Sequence, residues 1–171
     1  MAICKDERYQ ALVGFIEDNQ ERMYRLAYSY VKNQATALDM VQEAVYKAIK
    51  AHQRLEDPEQ VKAWFYKILV NTCLDELRRS RRLVATAPEQ MPEEGEDSLD
   101  CKADHLVLQE ALKELDADTK TVIVLRYFED MKLTEIADLL ETNINSVKSR
   151  LYRGLRLLKC QMGEGEVSHV E

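Results

Sequence analysis

Apolar residues recur with helical spacing along most of the chain. Met23, Leu26, Ala27, Tyr30 and Val31 define one amphipathic helix, and Asn33, which tolerates the left-handed conformation, is expected to end it. Leu12, Val13 and Ile16 place an earlier helix over 6–18. The next spans about Ala35 to His52, with Leu38, Val41, Val45, Ala48 and Ile49 inward. Asp57-Pro58 marks a break. A long helix then runs from Pro58 or Val61 to Arg82 and buries Val61, Phe65, Ile68, Leu69 and Leu77. Beyond it the pattern predicts helices near 105–115, 118–129, 133–141 and 145–162. Lys132 is a poor cap for the third of these, so Asp130 is expected to serve. No run of alternating β-branched residues appears, so the fold class is all-α.

The sharpest local pattern is Leu133 to Lys159. Leu133, Ile136, Ala137 and Leu140 form the stripe of a short helix, and Thr142-Asn143-Ile144-Asn145-Ser146 supplies turn and N-cap residue types. The helix that follows carries five cations and no acid. At about 100° per residue, Val147, Leu151, Leu155 and Leu158 gather on one side; Ser149, Tyr152 and Arg156 point the other way, flanked by Lys148 and Arg153. Arg150 falls at the apolar border, where an ion pair to a neighbouring helix suits it. Two short helices around a tight turn, the second basic outside, make the helix-turn-helix that enters the DNA major groove. An ordinary solvated face would also be charged. The turn chemistry, the segregation of faces and the lack of acids favour DNA.

Charge complicates that picture. The 171 residues carry a net −7, but 84–104 hold −6 and 163–171 hold −3, leaving 1–83 at +2 and 105–162 neutral. Residues 84–104, with two prolines, a glycine and seven acids, read as a flexible acidic linker between two small helical domains, 1–83 and 105–162. Residues 163–171 read as a frayed tail. With neither body strongly basic, the free chain is expected to bind DNA weakly and to need a partner.

Composition removes other classes. Four cysteines and three histidines are scattered singly, so no metal site is expected and the thiols are reduced and structural, Cys73 in a packing face. There is no phosphate loop and no nucleophile elbow, so neither catalysis nor a cofactor is expected. The longest aliphatic run is Val122 to Leu125, and the first residues lack a signal-peptide core, so a cytoplasmic protein without membrane insertion is expected.

Three segments belong together: Asp39-Met40-Val41-Gln42-Glu43-Ala44, then Trp64 to Asn71 leading to Asp75 and Arg78-Arg79, and the helix-turn-helix. In this order, around an acidic linker, they resemble the extracytoplasmic-function (ECF) sigma factors of the sigma-70 family, from about residue 9 to 160. The resemblance implies a region 2 domain over 1–83 and a region 4 domain over 105–162. It implies that Asp39, Gln42 and Glu43 dock on the β′ clamp coiled coil of core RNA polymerase, although the residues alone fit a plain solvated face. It places −10 element contacts on the loop His52 to Gln60 and on Lys67, Asn71, Asp75, Arg78 and Arg79. Asn71 suits base reading or a buried backbone bond equally well. Trp64 and Phe65 read as core anchors. Lys148, Ser149, Tyr152 and Arg153 fall at −35-reading positions, with Arg156 on phosphate. Asn145 stands where many relatives have glycine, at a cap or left-handed site.

As partners, the resemblance implies core polymerase through its β′ and β subunits, promoter DNA, and an anti-sigma factor, often membrane-anchored. It implies that the linker threads through the polymerase, its carboxylates mimicking nucleic acid or merely spacing the domains. Two rivals remain: a polymerase-independent helix-turn-helix regulator, which leaves the first two segments unexplained, and a protein-binding helical adaptor, which leaves the cations of the last helix unexplained.

Overall fold

In a computed structural model, residues 6–86, 112 and 114–162 are described, and every described element is helical. The chain divides into two units, 1–95 and 96–171.

The N-terminal unit is built from three long helices, α1 (Glu7–Val31), α2 (Gln34–Ala51) and α3 (Val61–Thr86). Helix α1 is continuous where two helices were expected. Asn19 departs from helical dihedrals and its side-chain amide donates to the Phe15 carbonyl at 2.8 Å, so the expected break survives as a kink. Asp6 caps the start, accepting from the Arg8 amide at 3.1 Å. The α1 terminus corrects the reading of Asn33: Lys32 takes the left-handed conformation (φ 54°), and Asn33 instead caps α2, accepting from the Thr36 amide at 2.9 Å. A short carboxamide serves two uses here, and capping wins because α2 begins only one residue later.

The buried face of α2 matches the expected one only at Ala48. Ala37, Met40, Ala44 and Ala48 are buried, whereas Leu38 and Ile49 are exposed and Val41 and Val45 half-buried. The apolar arc spans about half the helix circumference. The core takes its small-residue half, which lets α2 approach α1 and α3 closely. From α3 come Phe65, Tyr66, Leu69, Val70 and Cys73, fully buried; Val61, Ile68 and Leu77, expected inside, are half-buried, as is Trp64. Phe15, Phe65 and Tyr66 form an aromatic cluster with centroids 5.7–6.2 Å apart. Helix α3 continues through Val84 to Thr86, beyond the expected end at Arg82 and into the span assigned to the linker; the remainder of 84–104 lies outside the described residues.

Burial pushes the Cys73 thiol up to about 12. Iodoacetamide at pH 8 is therefore expected to alkylate exposed Cys160 in the native protein and Cys73 only after denaturation. Peptide mass mapping checks this, and rapid native labelling of Cys73 would contradict the packing.

The C-terminal unit contains α4 (Ala117–Ile123), a π-turn at Val124–Phe128, α5 (Leu133–Leu139) and α6 (Ile144–Met162). The helix expected over 105–115 lies mostly outside the described residues, although Leu112 and Leu115 are buried. The helix expected over 118–129 is interrupted by the π-turn. Asp130, proposed as a cap, sits instead at φ 52°. The start of α5 is held from the other side: Glu135 accepts the Lys132 amide at 2.8 Å, half of a capping box.

Between α5 and α6 the turn is a Schellman motif. Glu141 is left-handed (φ 52°), its amide reaches the Asp138 carbonyl at 3.2 Å, and the Thr142 amide reaches Ala137 at 3.0 Å. Asn143 then caps α6, accepting from Ser146 at 2.8 Å. Asn145, expected at the cap or left-handed position, lies inside the first turn of α6. Val147, Leu151 and Leu158 are buried as expected; Leu155 is half-buried and Gly154 takes the tightest place against α4.

Candidate nucleic-acid and polymerase interface

The outward face of α6 is the clearest candidate surface. Lys148, Ser149, Tyr152, Arg153 and Arg156 are all exposed, Tyr152 by 65%. Arg150 turns back to pair with Asp118 at 3.2 Å, the neighbouring-helix ion pair its border position suggested. Arg153 is more constrained than the pattern implied. Its guanidinium donates to Asp116 at 2.9 Å, while Asp116 caps α4 through the Thr119 amide at 3.1 Å and hydroxyl at 2.8 Å. Desolvation raises the Asp116 carboxyl, but the Thr119 hydrogen bonds and the Arg153 charge together bring it below the ordinary carboxylate value. One carboxylate thus sets both the start of α4 and the posture of Arg153. Periodicity could not reveal Asp116, because the contact spans 37 residues of sequence.

On α3, Lys67, Asn71, Asp75, Arg78 and Arg79 fall within about 120° of one another, opposite the buried arc. Asn71 is exposed, so it is not the buried backbone partner that one of its two readings required. Asp75 accepts from Arg78 at 3.1 Å, both two-thirds exposed, and Arg79 lies 4.0 Å from Glu76. The exposed Asp75–Arg78 pair is weak. Lys67 is half-buried. The loop before α3 is a pair of 3-10 turns, His52–Arg54 and Pro58–Gln60, pinned by buried Leu55, with Asp57 capping the second through the Glu59 amide at 2.9 Å.

On α2, Asp39, Gln42 and Glu43 are exposed, and Glu43 pairs with Lys47 at 2.6 Å. Lys47 also donates to Thr72 on α3 at 3.3 Å. Beside these polar residues lie exposed Leu38 (45%), Tyr46 (65%) and Ile49 (38%), which the pattern had placed inside or passed over. The excessive width of the apolar arc was the signal available for them. An apolar strip bordered by acids and amides has the composition of a protein-docking face.

Two family descriptions match this chain: Sigma-70 region 2 over residues 15–83 and Sigma-70 region 4 over residues 105–158. RNA polymerase sigma factor SigV of Bacillus subtilis is 45% identical over 160 residues, covering 92% of this chain and 94% of that protein. The RNA polymerase sigma-E factor of Streptomyces coelicolor is 30% identical, covering 85% of this chain and 82% of its own length. Among solved structures, the sigma factor RpoE from Bartonella quintana, in complex with the anti-sigma factor NepR, shares 22% identity. It matches with a TM-score of 0.77 over 90% of this chain and 99% of that one, a likeness of fold. With helical units, outward faces and family matches falling on the same residues, the chain belongs to the sigma-70 family, among the extracytoplasmic-function sigma factors.

Proposed function

We propose that this chain binds core RNA polymerase and directs it to promoters, where it supports melting and the start of transcription. The observation that carries this reading is that two separate helical units each present an outward face of the required chemistry. Residues 1–83 act as region 2, with Asp39, Gln42 and Glu43, together with Leu38 and Ile49, against the β′ clamp. Lys67, Asn71, Asp75, Arg78 and Arg79 face the −10 strand. Residues 105–162 act as region 4, with Lys148, Ser149, Tyr152 and Arg153 toward −35 bases and Arg156 toward phosphate. Residues 84–104 are the linker and 163–171 the tail. Holding both readers on one polymerase turns two weak contacts into a strong one through effective concentration. That suits units whose net charges are only slightly positive and zero.

The factor itself carries out no covalent chemistry and acts in the cytoplasm. No helix among the described residues is long and apolar enough to cross a membrane. An anti-sigma factor covers the polymerase-docking faces until released. Of the solved structures of like fold, the Bartonella protein was captured with the anti-sigma factor NepR and CnrH with the cytosolic domain of CnrY.

Run-off transcription with purified core polymerase on genomic fragments tests the whole reading. Initiation only when both are present is expected, whereas tight duplex binding by the chain alone as a dimer would overturn it. On a promoter so found, Tyr152→Ala/Arg156→Ala is expected to weaken recognition of the −35 duplex about tenfold or more, each lost contact costing about 1 kcal/mol or more. Wild-type footprints over that element would contradict the assignment. Gln42→Ala or Asp39→Arg is expected to lower core-polymerase affinity in a pull-down without unfolding the domain, and unchanged capture would remove that surface.

A further inference from the structure

The loop between α2 and α3 is gripped from outside by the first turn of α1. Arg8 donates from Nη1 to the Gln53 carbonyl at 3.0 Å. Asp6, whose other oxygen caps α1, lies 3.1 Å from His52 Nε2. The opposite ring nitrogen, Nδ1, lies 2.7 Å from the Ile49 carbonyl at the end of α2. Tyr9 packs edge-on against the same imidazole with centroids 5.5 Å apart. Four separate contacts therefore converge on the first 3-10 turn, and three of them are made by residues more than 40 positions away in sequence. Folding the helical bundle does not require this much, because Leu55 already anchors the loop in the core and Asp57 caps its second turn.

We propose that Asp6, Arg8 and Tyr9 form a brace that holds the His52–Gln60 loop in the posture needed to capture the melted −10 strand. This rests on the reading of that loop as part of the −10 site. The brace residues are positioning residues: they contact His52 and the Gln53 backbone and leave Gln53, Arg54 and Glu56 exposed. Without the brace the first 3-10 turn, only three residues long, samples other conformers, and capture loses the orientation it would otherwise begin with.

The test uses the full chain with core polymerase and a single-stranded oligonucleotide covering the melted segment of a promoter found by run-off selection. Asp6→Asn/Arg8→Ala is compared with the loop variant Gln53→Ala/Arg54→Ala/Glu56→Ala. Asparagine preserves the cap of α1, so the helix starts where it did. The brace variant is expected to lose about three- to tenfold in strand capture and open-complex yield, the scale of a few exposed polar contacts. Its core affinity and melting temperature should hold, hydrogen exchange over 52–57 should quicken, and Asp6→Asn/Arg8→Lys, which keeps a cation able to reach the Gln53 carbonyl, should recover part of the loss. If the loop variant fails and the brace variant captures normally, the brace is overturned while the −10 reading stands. If the loop variant also captures normally, the −10 reading itself has failed and the brace goes with it. Parallel losses of core affinity and melting temperature in the brace variant would make these contacts structural only, and would likewise overturn the proposal.

Discussion

Gly154→Val is expected to unfold the C-terminal unit while leaving the N-terminal unit intact. A Cβ at Gly154 would stand 2.4 Å from Ile123 Cδ1 and 2.7 Å from Thr119 Cγ2, far inside ordinary contact. Ile123 offers the end of a flexible chain and can shift. Thr119 cannot turn freely, because its hydroxyl is bonded to Asp116 at 2.8 Å, the same carboxylate that caps α4 and holds Arg153. Relieving the overlap therefore threatens three interactions at once. Alanine would gain about 1 kcal/mol of helix propensity, set against about 1–3 kcal/mol of overpacking, so Gly154→Ala should destabilise modestly. Valine adds two further carbons, and a loss of about 3 kcal/mol or more is a large part of a small unit's stability. Hydrogen exchange on the full chain separates the outcomes: protection should vanish over 117–162 and persist over 7–86. Binding to −35 duplex DNA should disappear with it, while polymerase capture through α2 continues. Native-level protection in α6 of the valine variant would show that the α4–α6 contact is not as close as these distances.

Most of the architecture was legible because amphipathic periodicity reports which residues share a helix face. The helix-turn-helix follows from two apolar stripes and the turn residues between them, and the outward set on α6 and the border position of Arg150 from a projection of one helix. What periodicity cannot supply is the choice between equally apolar halves of a face. On α2 the expectation of Ala48 inside holds, but the reading otherwise favoured the bulky half, Leu38, Val41, Val45 and Ile49, whereas close packing of three helices selected Ala37, Met40 and Ala44. Nor could it separate two uses of one residue type: Asn33 was read as a helix end and proved a helix start. Gly154 and Asp116 gave no local signal, since their importance comes from α4 lying against α6. The exposure of Asn71, by contrast, needed only the position of the buried arc of α3, and it removes the buried-backbone reading without any family argument.

Leu38→Asp/Ile49→Asp should abolish capture of core polymerase with little change in folding. The two residues lie 11 positions apart on α2, three helical turns, so they share one face, and each is already more than a third exposed. Exposed apolar groups cost the free protein solubility and contribute little to its core. Their retention beside Asp39, Gln42 and Glu43 is accounted for if a partner covers them. Buried anchors at the centre of such a surface are worth about 2 kcal/mol or more apiece, so two together amount to a loss of roughly a hundredfold or greater. A carboxylate carried into an apolar contact adds a desolvation cost on top of the lost area. The paired control is Ala44→Asp on the buried side of the same helix, which should unfold the N-terminal unit outright because Ala44 has no exposure at all. Circular dichroism and a polymerase pull-down on the two proteins distinguish a docking face from a core face. If the double variant melted like Ala44→Asp, the strip would belong to the core; if it still captured polymerase at wild-type strength, the partner would have to engage some other surface.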